Sequence, residues 1–198
     1  MMDKDDLFRI QNNTLNVKVG DVLLAEPFMN DLHFTRAAIL IIDHNDVEGT
    51  FGVVINKRLI VPSFNEIIND FPDFDGHIFL GGPVATDSIF FLHTLGPMIP
   101  DSTEIVKGIY WGGNINAVKA LIREGLITRH DIRFYIGYAG WEAGQLREEL
   151  IRNTWAVASV PPKLLLNTRP NDMWGRFTQV LGKRYQLWNK FPIYPSDN

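Results

Sequence analysis

Cysteine is absent from this chain of 198 residues. That absence excludes disulfides, thiolate zinc sites, iron–sulfur ligation and a cysteine nucleophile. Long apolar runs are missing too. The longest, residues 37–42, is far too short to span a bilayer. The opening MMDKDDLFRIQ lacks the basic region and apolar core of a signal peptide. Basic charge is not concentrated: 19 Lys and Arg are interspersed with 23 Asp and Glu, for a net charge of −4. Duplex nucleic acid is bound mainly through clustered cations, so direct DNA binding is not expected. There is no His-x-x-x-His pair, no Gly-x-Ser-x-Gly elbow and no Gly-Lys-Ser/Thr phosphate loop. Ser63, Ser88, Ser102 and Ser159 have no catalytic setting. These gaps predict a cytoplasmic protein with no metal, no cofactor, no membrane association and no catalytic constellation.

What is present is a core-forming composition, 45% hydrophobic and 12% aromatic, enough for one sizeable unit. Apolar patterning predicts strands at residues 22–25, 37–43, 51–56, 77–80, 88–94, 108–111, 132–137 and 155–160. The run AAILIID does not alternate, which predicts a strand buried on both faces and hairpinned to FGVVIN. Ser63 and Glu66 have the spacing of a capping box before a short helix reaching residue 69. Asn114 is the expected cap of a helix that Gly125 stops, with Ala117, Val118, Leu121 and Ile122 on one face. A further helix is expected at 142–153 and another at 172–181. Residues 132–160 then read as a strand–helix–strand unit of the length of a parallel crossover, while Pro97 and Pro100 make 95–107 irregular. Residues 1–19 are expected as a tail or short helix, 20–187 as the domain and 188–198 as a C-terminal tail.

The stretch IGYAGWEAGQLREELIRNTW carries the strongest site signal. A turn at 137–141 between strand and helix could offer N–H groups to an anion, or its glycines could only let backbone pass close to backbone. Glu142, Gln145 and Glu149 share a helix face, lining a cleft or facing solvent. Trp141, set between glycine and helix, is core or a partly exposed anchor for a ligand or partner. Gly81, Gly82 and Pro83 form a second glycine turn, readable as an anion nest or as turn geometry. The candidate binding residues are therefore Gly81, Gly82, Pro83, Gly140, Trp141, Glu142 and Gln145. His44 sits among Asp43, Asp46 and Glu48, but without the spacing of a calcium loop. Arg123, Arg129, His130 and Arg133 are the densest basic cluster.

Five segments in order resemble the YqgE/AlgH family of bacterial proteins. They are GDVLLAEPFMND with HFTRAAILIIDH, then FGVVINK, FLGGPV, FFLH and the Gly-Tyr-Ala-Gly-Trp stretch. Together they cover residues 20–160. The resemblance implies a single mixed α/β (α+β) unit whose curved, partly barrel-like sheet is flanked by helices. The AlgH name implies transcriptional regulation, and no catalytic residue is carried over. A non-enzymatic binding protein, with the regulatory role that the family name implies, is the leading expectation. The alternatives are a small-molecule enzyme or sensor with its pocket at the two glycine turns, and a protein-interaction scaffold. Its partner, protein or small ligand, is not identified by the residues.

Overall fold

Strands form where β-branched and aromatic residues recur between glycine and proline breaks. The computed structural model describes residue 10 and residues 13–60, 64–68 and 70–192. Its elements in chain order are β1 (Val22–Ala25), β2 (Ala38–Asn45), β3 (Gly49–Val54), β4 (Ile78–Leu80), β5 (Val84–His93), β6 (Thr103–Val106) and β7 (Ile109–Trp111). Then follow α1 (Ile115–Arg123), β8 (Ile132–Trp141), α2 (Gln145–Ile151), β9 (Trp155–Ala158), α3 (Pro162–Asn167) and α4 (Pro170–Thr178). Short 3₁₀ segments occupy Phe64–Glu66, Gly96–Met98 and Lys183–Lys190. The cap expected at Ser63 and the helix end at 69 lie outside the described residues.

The strands form one mixed sheet in the order β6-β7-β5-β8-β3-β2-β1-β9, with β4 also on β8. Every pairing is antiparallel except β4 with β8. β6 and β9 are the two ends and do not pair, so the sheet is open and not closed into a barrel. β8 and β9 do run in the same direction, as four successive antiparallel pairings require. Three strands separate them, however, so α2 joins no pair of neighbouring parallel strands.

β2 is covered on both sides, as its unbroken apolar run predicts. Ile39 and Ile41 pack with Leu23, Leu146 and Trp155, while Leu40 and Ile42 pack with Val22, Val53 and the C-terminal Phe177 and Trp188. A third apolar cluster gathers Phe64, Phe71 and Phe91 around Phe134 beneath α1. α1 follows its sequence signals: Asn114 accepts from the N–H groups of Asn116 and Ala117 at 2.9 and 3.2 Å, and Val118 and Ile122 are buried. The hairpin β6–β7 takes only the end of the stretch expected to be irregular at 95–107, turning on Lys107 and Gly108 between the paired Val106 and Ile109, while residues 95–102 form no strand. The expected C-terminal helix lies two residues earlier at its start and ends at Thr178. Pro162 and Pro170 open α3 and α4 from the first turn, where proline loses no intrahelical bond. Trp188, placed at the head of the expected tail, is buried and stacks on Trp174 at 6.0 Å.

β8 changes partners along its length. Its first half pairs with β4 and its second half with β3, while β5 runs along its other side. The change is made at Gly137, where φ is +67°. A Cβ there would stand 2.5 Å from the Gly82 carbonyl and 2.7 Å from that of Val84. Gly81 and Gly82 are equally constrained, since their Cβ atoms would collide with the backbone of Gly137 and Tyr138. Gly137→Ala should therefore combine left-handed strain with a backbone collision and cost roughly 3 kcal/mol or more. Gly108→Ala, at φ +80° with open space around it, should cost only about 1–2 kcal/mol. Urea unfolding of the two variants checks this; equal losses would remove the close contact as the cause.

Candidate functional site

Five strands and the segment after β8 enclose a groove of about 720 Å³. Phe51 of β3, Phe90 of β5, Trp111 of β7 and Tyr138 of β8 supply its rings, all four half-buried. Phe90 stacks on Trp111 with centroids 5.6 Å apart, and Phe51 meets Tyr138 edge-on at 5.6 Å. Phe90 and Tyr138 also meet edge-on, at 5.8 Å. Such mutual contacts fix the rings while leaving part of each exposed. The charged residues in the groove wall are Asp43, Glu48 and Glu142, all exposed and all acidic.

The groove contains four of the residues singled out from sequence: Gly140, Trp141, Glu142 and Gln145. Their local structure differs from the expectation. Residues 137–141 are not a turn but the end of β8, and α2 starts at Gln145 rather than at 142. Trp141 is buried, not an exposed anchor. Its indole N–H donates to Glu149 Oε2 at 2.9 Å, and that oxygen also accepts from Trp155 Nε1 at 2.6 Å. Gln145 accepts from the Glu142 N–H and donates to Glu149 Oε1, both at 3.0 Å. Glu142 and Gln145 are exposed, as a solvated face would be, but Gln145 and Glu149 also form a hydrogen-bonded pair. The row is a hydrogen-bonded strut that fixes the end of β8 against α2.

Gly81, Gly82 and Pro83 do not line the groove; Val84 beside them does. The Gly81 N–H donates to the Ile136 carbonyl at 2.8 Å, which leaves it unavailable to an anion. The two glycine stretches do meet, but as backbone on backbone, with the groove opening just beyond them at Val84 and Tyr138. Phe51, Phe90 and Trp111 were not singled out from sequence; Asp43 and Glu48 were named only as an acidic turn around His44, and Tyr138 only within the 137–141 turn. Alternation places Tyr138 and Gly140 on one face of β8, but cannot say that this face opens to solvent.

On the other face, His44 Nδ1 lies 2.6 Å from Thr50 Oγ1. These residues are direct cross-strand partners in the β2–β3 ladder, and Asp46, 3.6 Å from His44 Nε2, is 96% exposed in its side chain. Among the described residues no group of three or more His, Cys, Asp and Glu could hold a metal ion. Two members of the basic cluster are tied to their surroundings: Arg129 pairs with Asp75 at 2.9 Å, and Arg133 donates to the Leu166 carbonyl at 3.2 Å. No described helix is long and apolar enough to cross a membrane.

A family model described as AlgH-like matches residues 22–186. The chain belongs to the AlgH-like family. A UPF0301 protein of Bacteroides thetaiotaomicron is 41% identical to this AlgH-like chain over 195 residues, covering 98% of the chain and 97% of the relative. One of Chlorobium chlorochromatii is 38% identical over 189 residues, covering 96% and 100%. The fold is similar to a crystal structure of a Corynebacterium diphtheriae protein, with TM-score 0.75 and 25% identity, covering 96% of this chain and 100% of that one. It is also similar to the solution structure of the AlgH protein from Pseudomonas aeruginosa, with TM-score 0.70 and 26% identity, covering 92% and 98%.

The strut and the buried His93 each have a measurable consequence. Glu149→Ala strands two indole N–H groups and should destabilise the AlgH-like chain by about 2–4 kcal/mol, read by urea unfolding followed through tryptophan emission. His93 is 2% exposed, accepts from Leu95 N at Nδ1 (3.3 Å) and meets the Gly112 carbonyl at Nε2 (3.1 Å). Burial pushes its pKa below the ordinary 6.5, against the smaller opposing pull of the Gly112 carbonyl. The unfolded chain then takes up the proton first, so stability is full above about pH 6.5 and falls as pH drops below it. His93→Gln should flatten the unfolding midpoint against pH between 6.5 and the acid side. An unchanged slope would assign the loss to other groups, His77 included, whose pKa burial also lowers.

Proposed function

We propose that this AlgH-like chain is a non-enzymatic binding protein and that the aromatic groove beside β8 is its recognition surface. One observation carries the reading: four half-exposed rings in a wall whose charged members are all carboxylates. A cation over an aromatic face is favoured by the ring quadrupole, and the acids raise its local concentration. The same acids repel phosphates, which disfavours direct contact with nucleic acid. The fitting occupant is a Lys or Arg side chain presented by a partner protein, and a regulatory role, in transcription or elsewhere, runs through that partner. The cytoplasm is the compartment this reading assumes. The groove volume of about 720 Å³ also lies within the range of small-molecule sites, which supports a small organic amine as a second reading.

Isothermal titration calorimetry reads occupancy in the wild type and the variants alike. A short Lys/Arg-rich peptide should bind, weaken with added salt, and lose about tenfold in affinity on Trp111→Ala or Glu142→Gln. An acidic peptide of equal length should not bind. Spermidine as a third ligand separates the two readings, since it should match the peptide only if the partner is a small amine. Equal binding of acidic and basic peptides, or no effect of either substitution, would overturn the assignment.

A further inference from the structure

The four rings of the groove close on one another. Phe90 touches Trp111 and Tyr138, and Phe51 touches Tyr138 and Trp111, with neighbouring centroids 5.6–6.1 Å apart. β7 and β3 are separated in the sheet by β5 and β8. Across a flat sheet, rings on them would stand roughly 14 Å apart, at about 4.8 Å for each of the strand steps between. Phe51 and Trp111 are 6.1 Å apart, so the sheet curls toward the groove. One guest can then come within about 6 Å of several ring centroids at once, the range over which a ring holds a cation.

The directions of the rings say which cation. Phe90 and Trp111 lie 13° from parallel, but Tyr138 stands at 88° to Phe90, and Phe51 is tilted 56° from Trp111 and 66° from Tyr138. The rings make a corner rather than a platform. A planar guanidinium stacks flat on one ring face, whereas a trimethylammonium head is round and presents the same weakly positive methyl surface on every side. Hydrogen bonding divides the candidates further. A primary ammonium brings three strongly hydrated N–H donors, and burying them without acceptors is costly. The uncharged side-chain acceptors of the wall are already engaged: Thr50 Oγ1 lies 2.6 Å from His44 Nδ1, and Gln145 Oε1 accepts from the Glu142 N–H at 3.0 Å. The Tyr138 hydroxyl alone cannot serve three donors. Asp43, Glu48 and Glu142 are exposed, so their charge reaches a guest through water rather than by a buried contact. A fully methylated ammonium has no donor to lose and keeps the charge that the rings and the acids favour.

We propose that the groove selects a trimethylated lysine side chain of a partner protein, its head group in the corner of Phe51, Phe90, Trp111 and Tyr138. This rests on the reading of the groove as a recognition surface for cations and narrows it to one chemical form. The volume of about 720 Å³ exceeds what one head group fills, leaving space for the lysine stem and the backbone that carries it.

The test titrates the full chain with three short basic peptides that differ at a single lysine. One is unmodified, one is Nε-trimethylated, and one carries an uncharged tert-butyl group in place of the trimethylammonium. By calorimetry the trimethylated peptide should bind about tenfold more tightly than either of the others. Trp111→Leu should abolish that preference, and Trp111→Phe, which keeps a ring face, should retain part of it. Should Trp111→Leu fail to fold, the three peptides on the wild type decide alone. Equal affinity for the trimethylated and unmodified peptides overturns the proposal while leaving the groove a general cation site. Equal affinity for the tert-butyl peptide overturns it by making the contact merely apolar. Binding of none of the three overturns the recognition surface itself. Free Nε-trimethyl-lysine is the fourth ligand, and affinity equal to that of the peptide would overturn a protein as the source of the head group.

Discussion

Backbone meeting backbone at Gly81–Gly82 and Gly137–Tyr138 is the contact on which the architecture depends. No side chain larger than hydrogen fits at Gly137, Gly81 or Gly82, and the closeness is what allows one strand to serve two parts of a sheet. β8 takes β4 on one side until Ile136, then passes Gly137 and takes β3. On its other side the pairing with β5 jumps from Val84–Tyr138 to Ile89–Ile136, so that residues 85–88 bulge opposite a single glycine. Bulges bend and twist the strand that carries them. The bend turns Tyr138 and Gly140 toward Phe51, Phe90 and Trp111, and so the groove is a product of the joint.

A different kind of constraint holds the groove's far wall. Glu149 takes two indole N–H groups on one oxygen and the Gln145 amide on the other. A carboxylate that accepts three bonds is well satisfied without a counter-ion. The acids left exposed at the rim, Asp43, Glu48 and Glu142, are therefore the ones that give the surface its sign.

Periodicity and capping made much of the sheet and α1 legible, because a strand such as β2 reports its burial in every residue and Asn114 has a single local job. Family membership was legible from the ordered segments around β1, β2, β3, β5 and β8. The local form of the best-marked segment was not. Residues 137–141 carry glycines and aromatics equally suited to a turn or to a kinked strand, and only the distant Gly82 decides between them. Four groove residues were named in advance as binding candidates because they lie in or close to that segment in sequence. The rings of Phe90 and Trp111 were missed because their meeting is a matter of sheet order, β7 beside β5 beside β8, which no local pattern encodes. The hairpin at Lys107–Gly108 was hidden by the prolines before it, although a two-residue Lys-Gly break between short apolar runs is a readable turn signal.

The placement of β9 has a consequence for how the chain is made. Val22 pairs with Ala158 and Ala25 with Trp155, so β1 finds its second neighbour only after most of the chain exists. Pairings this distant in sequence slow folding, since the intervening loop must be closed before they are rewarded. During synthesis β1 can pair with β2 early, yet its other edge stays bare until the ribosome has released β9. That edge is a standing invitation to a neighbouring chain. Completion of this sheet is a late event, and vectorial synthesis leaves it to the last third of the polypeptide to close it.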